Sequence, residues 1–240
     1  MTHTKRPFKL LPNIPHVILC EGRDEEMFLR YYIEYLVNKK LVPDTFNIIN
    51  LGGNEEMRKT LHLFPSLDYF DQMKGFLVVR DAESNAISAA QSIQQSLEDA
   101  FQISIAMDGS FVENQEGMRF GFVLLPGKER EDTFSNGTLE DLCCQILNLS
   151  QEEFSGNNLL KVVDSYLDEV QQKRDCSFRT PHKNRLHAYL SGTDSFVGMK
   201  IGEASKAKCF DFSNHALDFL KNAILQLALY PLNDVSCKCQ

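Results

Sequence analysis

A chain of 240 residues has room for one large domain, or for a core with an appended part. With 43% hydrophobic and 24% charged residues, and no apolar run of the roughly 18 residues that cross a bilayer, the composition excludes a disordered chain and a helical membrane protein. A net charge of −8, from 33 acids against 25 bases, excludes a nucleic-acid coat protein but not an enzyme that grips phosphate in a local basic groove.

Lys5, Arg6 and Lys9 precede the apolar run Val17–Cys20, but that run breaks at Glu21, so no signal peptide is expected. The run itself suits a parallel strand buried on both faces. Met27, Phe28, Tyr31, Tyr32, Tyr35 and Leu36 then recur at helical spacing, and Pro43 marks the end of that helix. Phe46, Ile48 and Ile49 suggest a second strand, closed by Leu51-Gly52-Gly53. Asn54 can cap a helix reaching about Phe70, interrupted at Pro65. Gly75 to Arg80 is the strongest strand signal and runs straight into Asp81. Ser84 or Asn85 starts a helix to about Phe101.

Residues 102–118 suggest a strand or hairpin, turning at Asp108-Gly109 and Glu116-Gly117. Phe120 to Leu125 is a further strand, stopped by Pro126-Gly127. Beyond Thr138 the pattern is helical, at about 138–148, 157–173, 183–190 and 214–229. This order predicts an α/β fold: a mostly parallel sheet over residues 14–126 with helices on both faces, and a mainly helical region over 127–240 packed on it. Seven cysteines form no CxxC pair, which leaves reduced thiols in a cytoplasmic protein, with Cys143-Cys144 in the core and Cys237 and Cys239 in a C-terminal tail. The tyrosines of the first helix are expected to serve packing rather than base stacking.

In such sheets ligands gather at the carboxyl ends of the strands. Glu21 and Asp81 each follow an apolar strand and precede a helix, so adjacent strands would bring them together. Asp24 and Glu25 follow Glu21; each also suits an ordinary first helical turn. Asp81 and Glu83, two apart, would point the same way in an extended chain and could face one ion. Carboxylates without neighbouring His or Cys favour Mg²⁺ or Mn²⁺ over zinc. From Lys173 to His187, KRDCSFRTPHKNRLH holds five Lys/Arg, two His and one acid, the densest basic stretch; it reads either as a solvated surface or as a phosphate track.

VILCEGRDEEMF followed by GFLVVRDAES, with Leu51-Gly52-Gly53 between them, resembles the Toprim domain. That domain is shared by type IA and II topoisomerases, bacterial primases, small ribosomal-RNA maturation nucleases and the OLD (overcoming lysogenization defect) nucleases. The resemblance covers about residues 14–126 and departs at Glu83, where the family usually has Asp. Gly137 to Leu142 is similar to a segment of small stand-alone Toprim proteins of the OLD branch, although Thr138 with Asp141 also reads as a helix cap. What the resemblance implies is a Rossmann-like Toprim fold and metal-dependent phosphodiester hydrolysis of the two-metal type. Asp81, Glu83 and Glu25 would hold metal, and Glu21 would bind metal or act as general acid/base. Glu140 or Asp141 would add a ligand, and Lys183 would neutralise transition-state charge. Lys173, Arg174, Arg179 and Arg185 would track a DNA or RNA backbone.

The OLD branch usually works beside an ABC-type ATPase. No GxxxxGK[ST] loop is present, so that ATPase would be a separate protein, and by analogy the pair would act in defence against phage. A homodimer is left open. Two other readings compete: a haloacid-dehalogenase-type phosphatase using Asp81 as nucleophile, and a non-catalytic Toprim-fold binding subunit. A dinucleotide enzyme is disfavoured, because Gly52-Gly53 is no GxGxxG.

Overall fold

The first apolar run forms β1 (His16–Cys20), buried at every position because it has a parallel neighbour on each side. These are β2 (Phe46–Asn50) and β3 (Gly75–Asp81). The structure, a computed structural model, describes residues 9–154 and 158–228; Lys5, Arg6, Cys237 and Cys239 lie outside them. The two-residue β4 (Val112–Glu113) runs antiparallel along the outer edge of β5 (Arg119–Leu125), which is parallel to β3. The sheet order is β2-β1-β3-β5-β4.

Helices α1 (Arg23–Asn38), α2 (Asn54–Leu63) and α3 (Ala86–Phe101) make the crossovers. Asn85 starts α3, its side chain accepting the Ser88 N–H at 3.0 Å. Gly53, rather than Asn54, precedes α2. Pro65 lies in a single 3-10 turn (Phe64–Ser66) that ends the helix well short of Phe70, since proline removes a backbone donor. α2 packs on α3. Beneath them Phe64, Phe76, Phe101 and Phe120 meet with ring centroids 5.0–5.6 Å apart.

The 102–118 segment forms no hairpin of its own; it is a loop that contributes only β4. Gly109 stands at φ +75°, and a Cβ there would collide with the Phe122 carbonyl oxygen. Gly109→Ala is therefore expected to cost more than about 2 kcal/mol, read as a lowered urea midpoint with unchanged slope.

A small hairpin, β6 (Lys128–Arg130) and β7 (Thr133–Phe134), leads into α4 (Leu139–Phe154), α5 (Leu159–Arg174) and α6 (Pro181–Ser191). Two further helices follow, α7 (Ile201–Lys206) and α8 (Asp218–Ala228). α7 packs along α1, and α8 lies across β3 and β5. Gly75 makes room for α8, because a Cβ there would sit 2.6 Å from Leu227 Cδ1. The C-terminal region thus covers the sheet. Among the described residues no helix is long and apolar enough to cross a membrane.

Candidate active site

β1 hands the chain to β2 on one side, and β3 hands it to β5 on the other. The loops leaving β1 and β3 diverge, which opens a crevice at the carboxyl ends of these two strands. Glu21 directly follows β1 and Asp81 ends β3. Cys20 is paired with Val79, so the next two residues, Glu21 and Arg80, are neighbours; Arg80 Nε lies 3.9 Å from Glu21 Oε2. Burial holds the Arg80 guanidinium below its ordinary pKa, against the opposing pull of Glu21, Glu83 and Asp81. Its Nε and Nη1 groups are buried and make no hydrogen bond among the described residues.

The glycine loop is stitched to β1 by two backbone bonds, Leu51 N–H to Cys20 O and Gly53 N–H to Glu21 O, both 2.9 Å. A Cβ at Gly22 would stand 2.7 Å from Glu25 Oε2, so the glycine lets Glu25 fold back over the start of its own helix. Burial first, then the nearby Glu21 and Glu140 charges, push the Glu25 carboxyl up. Glu26 is a scaffold by contrast, bound to Arg23 at 2.8 Å and Arg30 at 3.3 Å.

Asp81 is only 8% exposed, and its Oδ1 accepts the Leu139 N–H at 2.9 Å, at the start of α4. Burial, followed by Glu25 and Glu140, pushes its carboxyl up to about 8. Glu83 differs from the sequence expectation. Its φ of +55° is left-handed, so the chain has left extended geometry and the two-residue alternation with Asp81 does not hold. Glu83 instead exchanges two backbone hydrogen bonds with Gly137, each 2.8 Å, which moors the start of α4 to the end of β3.

That mooring separates Glu140 from Asp141. Asp141 Oδ2 accepts from the Thr138 backbone N–H at 2.9 Å and from Thr138 Oγ1 at 3.1 Å, which closes the turn before α4. Glu140, 7% exposed, stands 3.8 Å from Lys183 Nζ on α6. Glu21, Glu25, Asp81, Glu83, Glu140 and Lys183 line one cleft of about 490 Å³, together with Gly22, Asn50, Gly52 and Gly53.

The basic stretch is less available than its composition suggests. Arg185 is held bidentately by Asp164 at 2.7 and 2.8 Å, and Lys173 pairs with Glu169 at 2.6 Å. In this structure both cations are paired with acids of α5. Arg174 stands 5.6 Å over the Phe178 ring, and Arg179 is exposed. Cys143 and Cys144 are buried, and burial raises both thiols.

Sequence reasoning did not single out Arg80, although a lone cation at the end of the run Phe76–Val79 was visible. Ile201 also lines the cleft, on a helix the periodicity did not reveal.

Among the described residues no three His, Cys, Asp or Glu side chains are arranged to hold one metal ion. Mg²⁺ needs only one or two carboxylates with waters and substrate oxygens, and the cleft offers oxygen donors whose crowding already disfavours negative charge on Asp81. In donor type the residues fit a hard divalent cation.

No curated protein and no solved structure matches the chain. Residues 15–229 match the family described as "Protein of unknown function (DUF3226)", a span that takes in the sheet, both sides of the cleft and the helices up to α8. The match covers most of the chain, which belongs to this family.

Proposed function

We propose that the chain is a Mg²⁺- or Mn²⁺-dependent nuclease that hydrolyses phosphodiester bonds in DNA or RNA. The observation that carries this reading is the gathering of Glu21, Glu25, Asp81, Glu83, Glu140 and Lys183, from separate segments, around one cleft at the switch point of the sheet. Asp81 and Glu25, with waters and substrate oxygens, would hold the cation, which when bound supplies charge against the phosphate and lowers the pKa of water. Glu21 is the group to take a proton from the attacking water, and Arg80 Nε stands 3.9 Å from it. Lys183, more than half exposed, can leave Glu140 to neutralise charge building on the phosphorus oxygens. Arg174 and Arg179 remain for backbone contacts. Following the Toprim resemblance, the chain would act in the cytoplasm beside a separate ABC-type ATPase, in defence against phage.

The phosphatase reading is weakened by Asp81 itself, whose raised pKa and hydrogen bond from Leu139 suit a shielded ligand better than a nucleophile. A non-catalytic binding subunit keeps one observation in its favour, that no three of the acids converge.

Plasmid, linear DNA and total RNA are incubated with the protein in Mg²⁺, Mn²⁺ or EDTA, beside Glu21→Ala. Cleavage that needs metal and disappears in the variant is the expected result. Silence throughout, with no rise of melting temperature in Mn²⁺, would establish the binding subunit instead.

A further inference from the structure

α1 and α7 lie side by side, with Gly202 against Met27, and they connect two clefts. Glu25 and Ile201 belong to the acidic one. The later parts of both helices line a second cleft of about 900 Å³. From Glu25 to Tyr35 the path along α1 is about 15 Å.

The walls of the second cleft are aromatic and basic. Tyr31 and Tyr35, one turn apart, are partly exposed, as is Phe212, whose ring centroid lies 6.0 Å from that of Tyr35. Lys39 Nζ stands 5.7 Å over the Tyr35 ring. Lys206 and Lys208 are exposed and make no ion pair among the described residues. The acids here are Glu34 and Asp211, and Asp211 is taken by Ser213, from its N–H at 2.9 Å and its Oγ at 2.6 Å. Cys209 offers no nucleophile, because burial pushes its thiol up to about 12. The cleft is equipped to bind, not to react.

We propose that this second cleft seats a single-stranded continuation of the substrate, with bases stacked on Tyr31 and Tyr35 and phosphates held by Lys206 and Lys208. The proposal rests on the nuclease reading of the acidic cleft and assigns its substrate class. Aromatic faces accept any base, and flexible ammonium groups accept any phosphate, so such a surface grips a strand without reading its sequence. It adds two exposed lysines, unpaired among the described residues, to a chain in which Arg185 and Lys173 are paired with acids of α5.

The test is fluorescence anisotropy of labelled 20-nucleotide dT and U strands in EDTA, where no cleavage intervenes. The proteins are wild type, Tyr31→Ala/Tyr35→Ala, Lys206→Glu/Lys208→Glu and, as a control on α5 outside both clefts, Lys161→Glu. Each double variant is expected to weaken strand binding about tenfold or more. The lysine pair should also flatten the salt dependence by about 1.4 in the logarithmic slope, as for two lost phosphate contacts on a single strand. Lys161→Glu should bind like wild type. The lysines are exposed, so that variant folds even if the tyrosine pair does not. Wild-type affinity in the lysine variant, no strand binding by wild type, or a mononucleotide bound as tightly as the strand would each overturn the proposal. Failure of the nuclease reading shows separately, as strand binding that responds to these variants while no metal ion produces cleavage.

Discussion

In EDTA at pH 7, Asp81→Asn is expected to melt about 8–16 °C above wild type, and in Mn²⁺ to have lost cleavage altogether. The stability gain follows from the direction of the pKa shift. The folded carboxyl titrates near 8 against an ordinary value of 3.8, so between these values the folded state holds a proton that the unfolded chain has released. Stability from this group is fully present below about pH 4 and is lost as pH rises towards 8. Each unit is worth about 1.4 kcal/mol, which puts the loss at pH 7 near 4 kcal/mol, and a chain of this size gains about 2–4 °C per kcal/mol.

Asparagine keeps an oxygen for the Leu139 N–H but places no charge beside Glu21, Glu25 and Glu140. Melting curves of both proteins between pH 4 and 8.5 should therefore diverge with rising pH. Mn²⁺ should narrow the gap by stabilising wild type alone, by about 2.7 kcal/mol at a hundredfold excess over Kd. Parallel curves across this range would mean that Asp81 is ionised in the folded protein at neutral pH.

Lys183→Met separates catalysis from folding. Its pair with Glu140 spans 3.8 Å, with the lysine 55% exposed and the glutamate 10%, so the melting temperature should fall by a few degrees at most. Single-turnover cleavage should fall by about 10²–10³, the usual cost of removing one group aimed at transition-state charge. Lys183→Arg should recover part of that rate. An unchanged rate in the methionine variant would remove Lys183 from the chemistry.

The strands were legible because strands buried on both faces write themselves as unbroken apolar runs, and Glu21 and Asp81 stood out by ending two of them. Placing Glu140 and Lys183 in the same cleft required the fold, since neither the Glu83–Gly137 bridge nor the approach of α6 leaves a mark on local pattern. The left-handed turn at Glu83 was invisible for a related reason. Glutamate does not advertise a positive φ as glycine would, and the backbone bonds to Gly137 hold it there. In the basic stretch composition counts charge but cannot show that Arg185 and Lys173 have partners on α5. α7 spans six residues, too few for helical periodicity to emerge.

The tie between Glu83 and Gly137 has a bearing on how the protein is made. Glu21 and Asp81 leave the ribosome long before Lys183, and the α8 that roofs β3 and β5 comes later still. A chain cut short before α6 thus carries the strand-end acids without Lys183 beside them and without the cleft that α7 completes. Translation that aborts before α6 releases a fragment without Lys183, which on the nuclease reading would be inert.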